Sequence, residues 1–375
     1  MMNIAIWGIG DVGQYVFQQL KNNEKLNIKY FVDSNSEYWE TVKNGIKVIS
    51  PIQLKNVFSD EVDFLVIAFI NGVSIYEQLL EMETKPFGIV NDCVFEEKME
   101  LEQDLLKDKN IFWKHSGNEV KPLLKTLETN IVDYCNLNCR GCSHFSNLFE
   151  YGEKVPFNIF RRDLNQIAEH LHIYRFNMLG GEPLLDSEIN QYIEYARKIL
   201  PDTNIQLITN GILIPKQPKS FFDCCKENNV RIVISEYQPT LELKNQIVEI
   251  LHKNEVRYFL RDNRGEFGKN IDLTGTTDKD WAVKHCRESR CQFFRNGKIY
   301  KCPFEALGNR LFECYGVDIR LSGGYDIYQG NLDWADLADT LMHQTVDACK
   351  YCGEEEKMKW EKRKVPKLED WIIKR

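Results

Sequence analysis

Short apolar runs alternate with stretches of helical periodicity along most of this chain. Asn3-Ile4-Ala5-Ile6-Trp7 is a near-continuous apolar run, the pattern of a strand buried on both faces. A helical pattern continues to Leu20, and Ile28 to Val32, Val62 to Phe69 and Phe87 to Val90 predict three further strands. Residues 98–126 are charged and lack a strong strand signal, which predicts a connecting helix and linker. From Leu127 a second series begins, with strands expected at 127–133, 174–179, 204–209, 230–235 and 256–260. Over 158–172, Ile159, Phe160, Leu164, Ile167, Ala168 and Leu171 share one face at helical spacing. Alternation on this scale predicts a parallel sheet or partial barrel, with functional groups at the carboxyl ends of its strands.

Beyond residue 285 the pattern changes. Gln292 to Cys302 predicts a hairpin about Arg295-Asn296-Gly297. The run after Gly353 mixes charges, is helix-prone and holds Trp360 and Trp371; a solvated helix packing back on the body is expected.

Composition narrows the function classes. A chain of 375 residues admits two or three domains, and 43% hydrophobic with 28% charged residues is globular rather than disordered. A net charge of −8 argues against nucleic acid or an anionic membrane as the main partner. No apolar run approaches the ~20 residues of a membrane span. Met1-Met2-Asn3-Ile4-Ala5 lacks the basic region of a signal peptide, so a cytoplasmic location is expected, where thiols stay reduced. The chain nevertheless has 12 cysteines. Metal or cluster ligation therefore becomes the first question.

Cys135, Cys139 and Cys142 follow directly on the strand Thr129 to Asp133. Three thiolates on one loop suit three irons of a [4Fe–4S] cubane and leave the fourth iron open. A structural zinc site would ask for four ligands. Gly180-Gly181-Glu182-Pro183 then follows the next strand, and Thr209-Asn210-Gly211 closes the one after. In this order, these motifs resemble the radical S-adenosylmethionine (SAM) enzymes. The resemblance covers about 127–265. It implies that Cys135, Cys139 and Cys142 hold a cluster whose open iron is chelated by SAM. Gly180, Gly181, Glu182 and Pro183 would contact the SAM amino group, with Asn210 along the strand ends and Ser235 at the ribose. The implied chemistry is one-electron reduction of SAM to methionine and a 5′-deoxyadenosyl radical that abstracts a substrate hydrogen, with reduced flavodoxin or ferredoxin as electron donor. Gly141 departs from the family, where an aromatic residue often precedes the last cysteine and packs near adenine.

Cys286, Cys291 and Cys302, then Cys349-Lys350-Tyr351-Cys352, resemble the Twitch domain, a reduced SPASM domain holding auxiliary [4Fe–4S] clusters. One auxiliary cluster is expected, on four of Cys286, Cys291, Cys302, Cys349 and Cys352; the spacing does not choose between Cys286 and Cys291. Four-cysteine zinc is the alternative. Cys314 is a candidate hydrogen-atom donor. Cys93, Cys224 and Cys225 are expected to be buried structural cysteines. His144 is expected to be a polar loop histidine near the first cluster, with lining of the active site as the other reading. Asp318, Arg320 and Tyr325 are candidates for facing substrate.

Gly8, Gly10 and Gly13 lie between a strand and a helix, with Asp33 twenty residues beyond Gly13. This is a dinucleotide fingerprint in its expected context. A block of about 95 residues suggests one mononucleotide half. Gly45 to Pro51 and Asp63 to Phe69 resemble the N-terminal domains of nucleotide-sugar-modifying enzymes of surface-glycan pathways. Nucleotide or nucleotide-sugar, NAD, and a purely structural role remain open for this block.

The fold expected is α/β. It comprises a Rossmann-like domain over 1–97, a linker helix over 98–126, a radical SAM partial (β/α)6 barrel over 127–284, and a Twitch-like iron–sulfur domain with its tail over 285–375. The expected function is hydrogen abstraction from a sugar or nucleotide-linked sugar, leading to oxidation or epimerisation. A ribosomal-peptide maturase and a non-catalytic zinc-stabilised binding protein are the alternatives.

Overall fold

In a computed structural model, residues 1–58, 60–69, 75, 78–79, 86–115, 121–261, 265–286 and 291–374 are described. The chain forms two compact units, Met1–Lys121 with Asp202–Asn204, and Pro122–Pro201 with Ile205–Arg375.

The first unit is a seven-stranded sheet. Its strands are β1 (Met2–Trp7), β2 (Leu26–Val32), β3 (Val42–Lys43), β4 (Ile46–Ile49), β5 (Phe64–Ile67), β6 (Phe87–Val90) and β7 (Ile111–His115), in the order β3-β4-β2-β1-β5-β6-β7. The five inner strands are parallel, and β3 and β7 pair antiparallel at the edges. The inner strands read as unbroken apolar runs because both faces are covered; Ile4, Ile6, Phe64 and Val66 are fully buried. Two expectations are corrected here. The chain crosses from β4 back past β1 to β5, so the sheet exceeds one mononucleotide half and contains a point where strand order reverses. Residues 98–126 contain no helix among those described; β7 and the start of the next strand lie there instead. Ile111, Phe112 and Trp113 are buried, and such a run at the sheet edge favours a strand over a charged linker helix.

The second unit is built on an eight-stranded sheet. Its strands are β8 (Leu123–Val132), β9 (His172–Gly180), β10 (Asn204–Thr209), β11 (Arg231–Ser235), β12 (Tyr258–Arg261), β14 (Gln292–Arg295), β15 (Lys298–Tyr300) and β16 (Tyr325–Asp326), ordered β12-β11-β10-β9-β8-β14-β15-β16. Helices Phe157–His170, Ile189–Ile199, Lys219–Glu227 and Gln238–Lys253 follow the successive strands β8 to β11. In the first of them Phe160, Leu164 and Ile167 are buried, as the periodicity requires. Cys224 and Cys225 sit in the same apolar core.

Strand β12 is not followed directly by an α-helix. The strand after β12 is β13 (Glu266–Ile271), which pairs antiparallel with β17 (Cys352–Lys359) in a separate two-stranded sheet. The outer side of β8 is instead extended by β14, pairing in parallel. The β14–β15 hairpin turns on Asn296 and Gly297, both at positive φ (49° and 78°), the geometry that matches the twist of a two-residue turn. The segment expected to form a separate Twitch-like domain is thus continuous with the barrel sheet. The tail is also corrected: beyond Gly353 it forms most of β17 and then irregular chain with a short 3₁₀ turn at Leu368–Asp370, and no α-helix among the described residues. Antiparallel pairing with β13 satisfies a backbone that its own charged side chains could not cover.

Candidate active site

The loop after β8 carries Cys135, Cys139 and Cys142, with Asn138 and Gly141 at positive φ to make its turns. The glycine pair after β9 packs against its base. Gly180 has φ +146°, and a Cβ there would lie 2.1 Å from the Val132 carbonyl oxygen. A Cβ on Gly181 would lie 1.8 Å from the Tyr134 carbonyl oxygen, so only glycine permits this approach. Two backbone bonds lock it, Gly181 N to Val132 O at 2.9 Å and Glu182 N to Tyr134 O at 3.1 Å.

Glu182 is fully buried and its carboxylate is engaged within the fold. It accepts from Leu184 N (3.0 Å), Thr209 Oγ1 (2.7 Å) and Asn210 N (2.8 Å). It therefore ties the Gly-Gly-Glu-Pro loop to the end of β10. Burial pushes its pKa up to about 7, against the pull of those three donors. Asn210 continues the connection, donating from Nδ2 to Asn136 Oδ1 at 2.7 Å and to Cys135 Sγ at 3.9 Å. Cys135 Sγ also accepts from Leu137 N at 3.5 Å. Ser235 ends β11 and is buried.

In the metal-free protein the raised pKa of Glu182 couples folding to pH. The folded protein binds a proton that the unfolded chain releases near pH 4.3, so this group favours folding at low pH and loses that contribution as pH rises through 7. Comparing urea unfolding of the wild type with Glu182→Gln should show their difference moving against the wild type by roughly 3 kcal/mol from pH 4.5 to pH 8. A difference independent of pH would contradict a carboxyl group protonated in the fold.

A buried polar chain runs beside the cysteines. Arg295 on β14 makes two bonds to Asp133, at 2.8 and 2.7 Å. Asp133 Oδ1 accepts from Asn130 Nδ2 at 2.9 Å, and Asn130 Oδ1 faces His144 Nδ1 at 3.0 Å. Because Asp133 accepts from Asn130 Nδ2, Asn130 offers His144 an oxygen, so Nδ1 carries the hydrogen and Nε2 the lone pair. Burial pushes the His144 pKa down to about 4, which keeps the ring neutral. The sequence alone offers His144 as a polar loop residue or as lining the active site, and it carries no sign of this chain, whose members are scattered from 130 to 295.

The tail completes the cysteine loop, which the sequence did not reveal. Trp360 Nε1 donates to Cys139 Sγ at 3.1 Å, and Trp371 Nε1 to Cys142 O at 2.9 Å. Backbone bonds join Arg140 N to Glu361 O at 2.9 Å and Arg363 N to Asn138 O at 2.8 Å. Asp370, buried, accepts from Arg140 and Arg363. Burial alone would raise its pKa, but the Arg363 guanidinium and the other donors hold it below the ordinary carboxylate value. The departure at Gly141 has its reason here: a Cβ would meet Met358 Cε at 2.1 Å and Asp370 O at 2.7 Å. The tail occupies the space.

The donor set fits an iron–sulfur cluster. The sulfurs of Cys135 and Cys139 act as hydrogen-bond acceptors, as ligating thiolates do. Burial pushes the Cys135 thiol well up and Cys139 up to about 12, so a nearby cationic centre is what would draw off their protons.

The second cysteine group divides. Cys286, Cys302 and Cys352 line one cavity of about 460 Å³ together with Ser143, Trp281 and Trp371. Burial pushes the pKa of the Lys301 ammonium down, opposed by Cys349, Cys302, Cys286 and Glu305. Cys291 lies instead beside Glu128, a carboxyl group buried on β8 and bonded by Asn177 Nδ2 at 2.6 Å. Residues 287–290 fall outside the described residues. Cys314 is exposed on the helix Pro303–Tyr315 and is not among the residues lining this cavity. Asp318 and Arg320 are exposed and Tyr325 lies half-buried on β16.

In the first unit the turn after β1 has Gly8 at φ +119°, where a Cβ would meet Ala68 O at 2.8 Å. A Cβ on Gly13 would lie 1.8 Å from Gly8 O, so glycine there brings the helix Asp11–Leu20 onto the turn. Gly10 has open space around it. Asp33, just past β2, accepts from Ile9 N at 3.3 Å and from Asn35 N at 2.9 Å. The three glycines and Asp33 are therefore gathered at the carboxyl end of β1.

Residues 129–235 match the family model of the radical SAM superfamily. This chain carries a radical SAM domain. The match spans Cys135, Cys139 and Cys142, the Gly180–Pro183 loop, Asn210 and Ser235. Residues 1–87 match a second model, described as C2185-like, N-terminal. Among curated relatives, GTP 3′,8-cyclase of Thermodesulfovibrio yellowstonii is 31% identical over 100 residues, covering 26% of this chain and 31% of that protein. GTP 3′,8-cyclase of Clostridium acetobutylicum is 33% identical over 108 residues, covering 28% and 32%. The chain thus spans about a third of the length of the curated relatives it matches. Of solved structures, BtrN in complex with AdoMet and 2-DOIA aligns over 63% of this chain and 95% of that one, at 15% identity and a TM-score of 0.40. Native anSMEcpe with bound AdoMet aligns over 37% and 44%, at 18% identity and a TM-score of 0.30. A radical SAM domain implies a [4Fe–4S] cluster and SAM as cofactors. Among the described residues no helix is long and apolar enough to cross a membrane.

Proposed function

We propose that this chain is a radical SAM oxidoreductase that abstracts a hydrogen atom from a nucleotide-linked sugar and yields an oxidised or epimerised product. The carrying observation is the bond network that draws the cysteine loop, the Gly180–Pro183 loop and the end of β10 together through Glu182 and Asn210. When bound, a cluster on Cys135, Cys139 and Cys142 with SAM supplies one-electron cleavage of SAM and a 5′-deoxyadenosyl radical. The residues of the chain do the rest. Gly180 and Gly181 let their loop pack closely on the backbone of Val132 and Tyr134 at the base of the cysteine loop. Glu182 fixes that loop, and Asn210 positions Asn136 beside Cys135. His144 is held neutral at the end of the Asp133–Asn130 chain and braces the base of the cysteine loop.

Cys286, Cys302, Cys349 and Cys352 are the preferred ligands of one Twitch-like auxiliary [4Fe–4S] cluster, because Cys286, Cys302 and Cys352 line one cavity and Cys291 bonds Glu128. Such a cluster would accept the electron that an oxidation leaves over. Reduced flavodoxin or ferredoxin is the electron donor, and the cytoplasm the compartment. The nucleotide part of the substrate rests on the first unit. Its reversing strand order with Gly8, Gly10, Gly13 and Asp33 suits a nucleotide. A parallel sheet there also counts against the peptide-maturase alternative, for which a small winged-helix leader binder would be expected.

Equilibrium binding of UDP-, GDP- and dTDP-hexoses to the intact protein tests the substrate class. Binding below millimolar Kd, weakened at least tenfold by Asp33→Ala, is expected. No binding at millimolar concentration would overturn the nucleotide-sugar reading and leave the radical chemistry untouched.

A further inference from the structure

We infer that Trp360, through its indole N–H, sets the reduction potential of the cluster on the Cys135–Cys142 loop. The inference rests on the reading of Cys139 as a cluster ligand. Trp360 Nε1 stands 3.1 Å from Cys139 Sγ, a short distance for a donor to sulfur. The side chain is held there from both sides. Its indole stacks on Tyr237 at 5.6 Å between ring centroids and 28° between planes, and Tyr237 in turn meets Phe267 edge-on at 5.9 Å. The Trp360 backbone N donates to Gly265 O at 2.9 Å, continuing the pairing of β17 with β13. An isolated bridge between Cys139 and Lys362 then brings tail and loop backbones together. The donor is therefore fixed on the sulfur by structure that does not depend on the bond itself.

A hydrogen bond to a ligating thiolate withdraws charge from the cluster. It stabilises the reduced, more negative state more than the oxidised one and so raises the potential. Trp371 provides an internal contrast. It comes from the same tail, but its indole donates to the Cys142 carbonyl oxygen, not to a sulfur. Trp360 is thus a positioning and tuning residue, and Trp371 a brace.

The test uses the full chain with reconstituted cluster and follows the potential by dye-mediated titration with electron paramagnetic resonance. Iron and sulfide are counted for each sample. In Trp360→Phe the ring stack is kept and the donor is lost. The ratio of reduced to oxidised cluster at a fixed potential should fall at least threefold, with iron content unchanged. Replacing Trp360 by benzothienylalanine, which keeps the shape of indole without the N–H, should give the same fall. Trp371→Phe should leave the ratio within twofold of the wild type. Equal ratios for the wild type and both Trp360 variants would overturn the inference. A fall only in Trp360→Phe would also overturn it, since packing rather than the hydrogen bond would then be responsible. Absence of a cluster in the wild type would instead refute the ligand reading on which the inference stands.

Discussion

Alanine at Gly181 should disable the site by displacing the cysteine loop. The added methyl would sit 1.8 Å from Tyr134 O, 2.2 Å from Tyr134 C and 2.9 Å from Asp133 O. All three atoms are backbone, and none can rotate away. They are also held in place, because Tyr134 O accepts from Glu182 N and Val132 O from Gly181 N. Relief therefore requires the two loops to separate, breaking those bonds and the ties that Glu182 makes to β10. The expected cost is roughly 4 kcal/mol or more, at the upper end for a single substitution. Thermal unfolding should report that loss, and anaerobic reconstitution should recover less than half of the wild-type iron on the first cluster. A Gly181→Ala protein with wild-type stability and iron would show that the loops do not need this approach.

Breaking the Asp133–Arg295 pair should be nearly as damaging, for a different reason. Asp133 is fully buried, and Arg295 is 18% exposed at its side chain. Two short bonds satisfy the carboxylate, and Asn130 adds a third contact. Arg295→Met removes the cation and leaves a buried charge without its partner, which costs about 3–5 kcal/mol. The double variant Arg295→Met with Asp133→Asn should recover at least half of that, since most of the loss is the stranded carboxylate. Urea unfolding of the two single variants and the double variant provides the comparison. Additive losses would mean that the pair does not act as a unit. The same pair anchors β14 to the end of β8, so the spectrum of the first cluster should change in the single variant as well.

The legible parts of this protein are those governed by local pattern. Strands β8 to β11 were readable because each is an apolar run between turn residues, and the helix Phe157–His170 because its buried face repeats every three to four residues. The cysteine loop was readable because three thiols three and four positions apart directly after a strand, followed by Gly180-Gly181-Glu182-Pro183, have few uses. Periodicity misled at residues 98–126, where β7 closes the first sheet: a single short strand carries little signal, and its partner β6 is distant in sequence. It misled again in the tail. Glu354 to Lys359 has the composition of a solvated helix, and only long-range pairing with Glu266–Ile271 makes it a strand. The same long-range contacts explain why Trp360, Trp371 and Asp370 could not be recognised as part of the site. The cysteine spacing carried no sign that Cys291 bonds Glu128, which lies far away on β8.

The most direct test of the central claim is an anaerobic one. The protein is purified, reconstituted with iron and sulfide, assayed for both, and then incubated with SAM and dithionite. The account predicts about eight irons per chain, four for each of two cubanes, and formation of 5′-deoxyadenosine. It also predicts that the triple variant Cys135→Ala, Cys139→Ala, Cys142→Ala retains about four irons and forms none of this product. Zinc without sulfide, and SAM recovered intact, would contradict it.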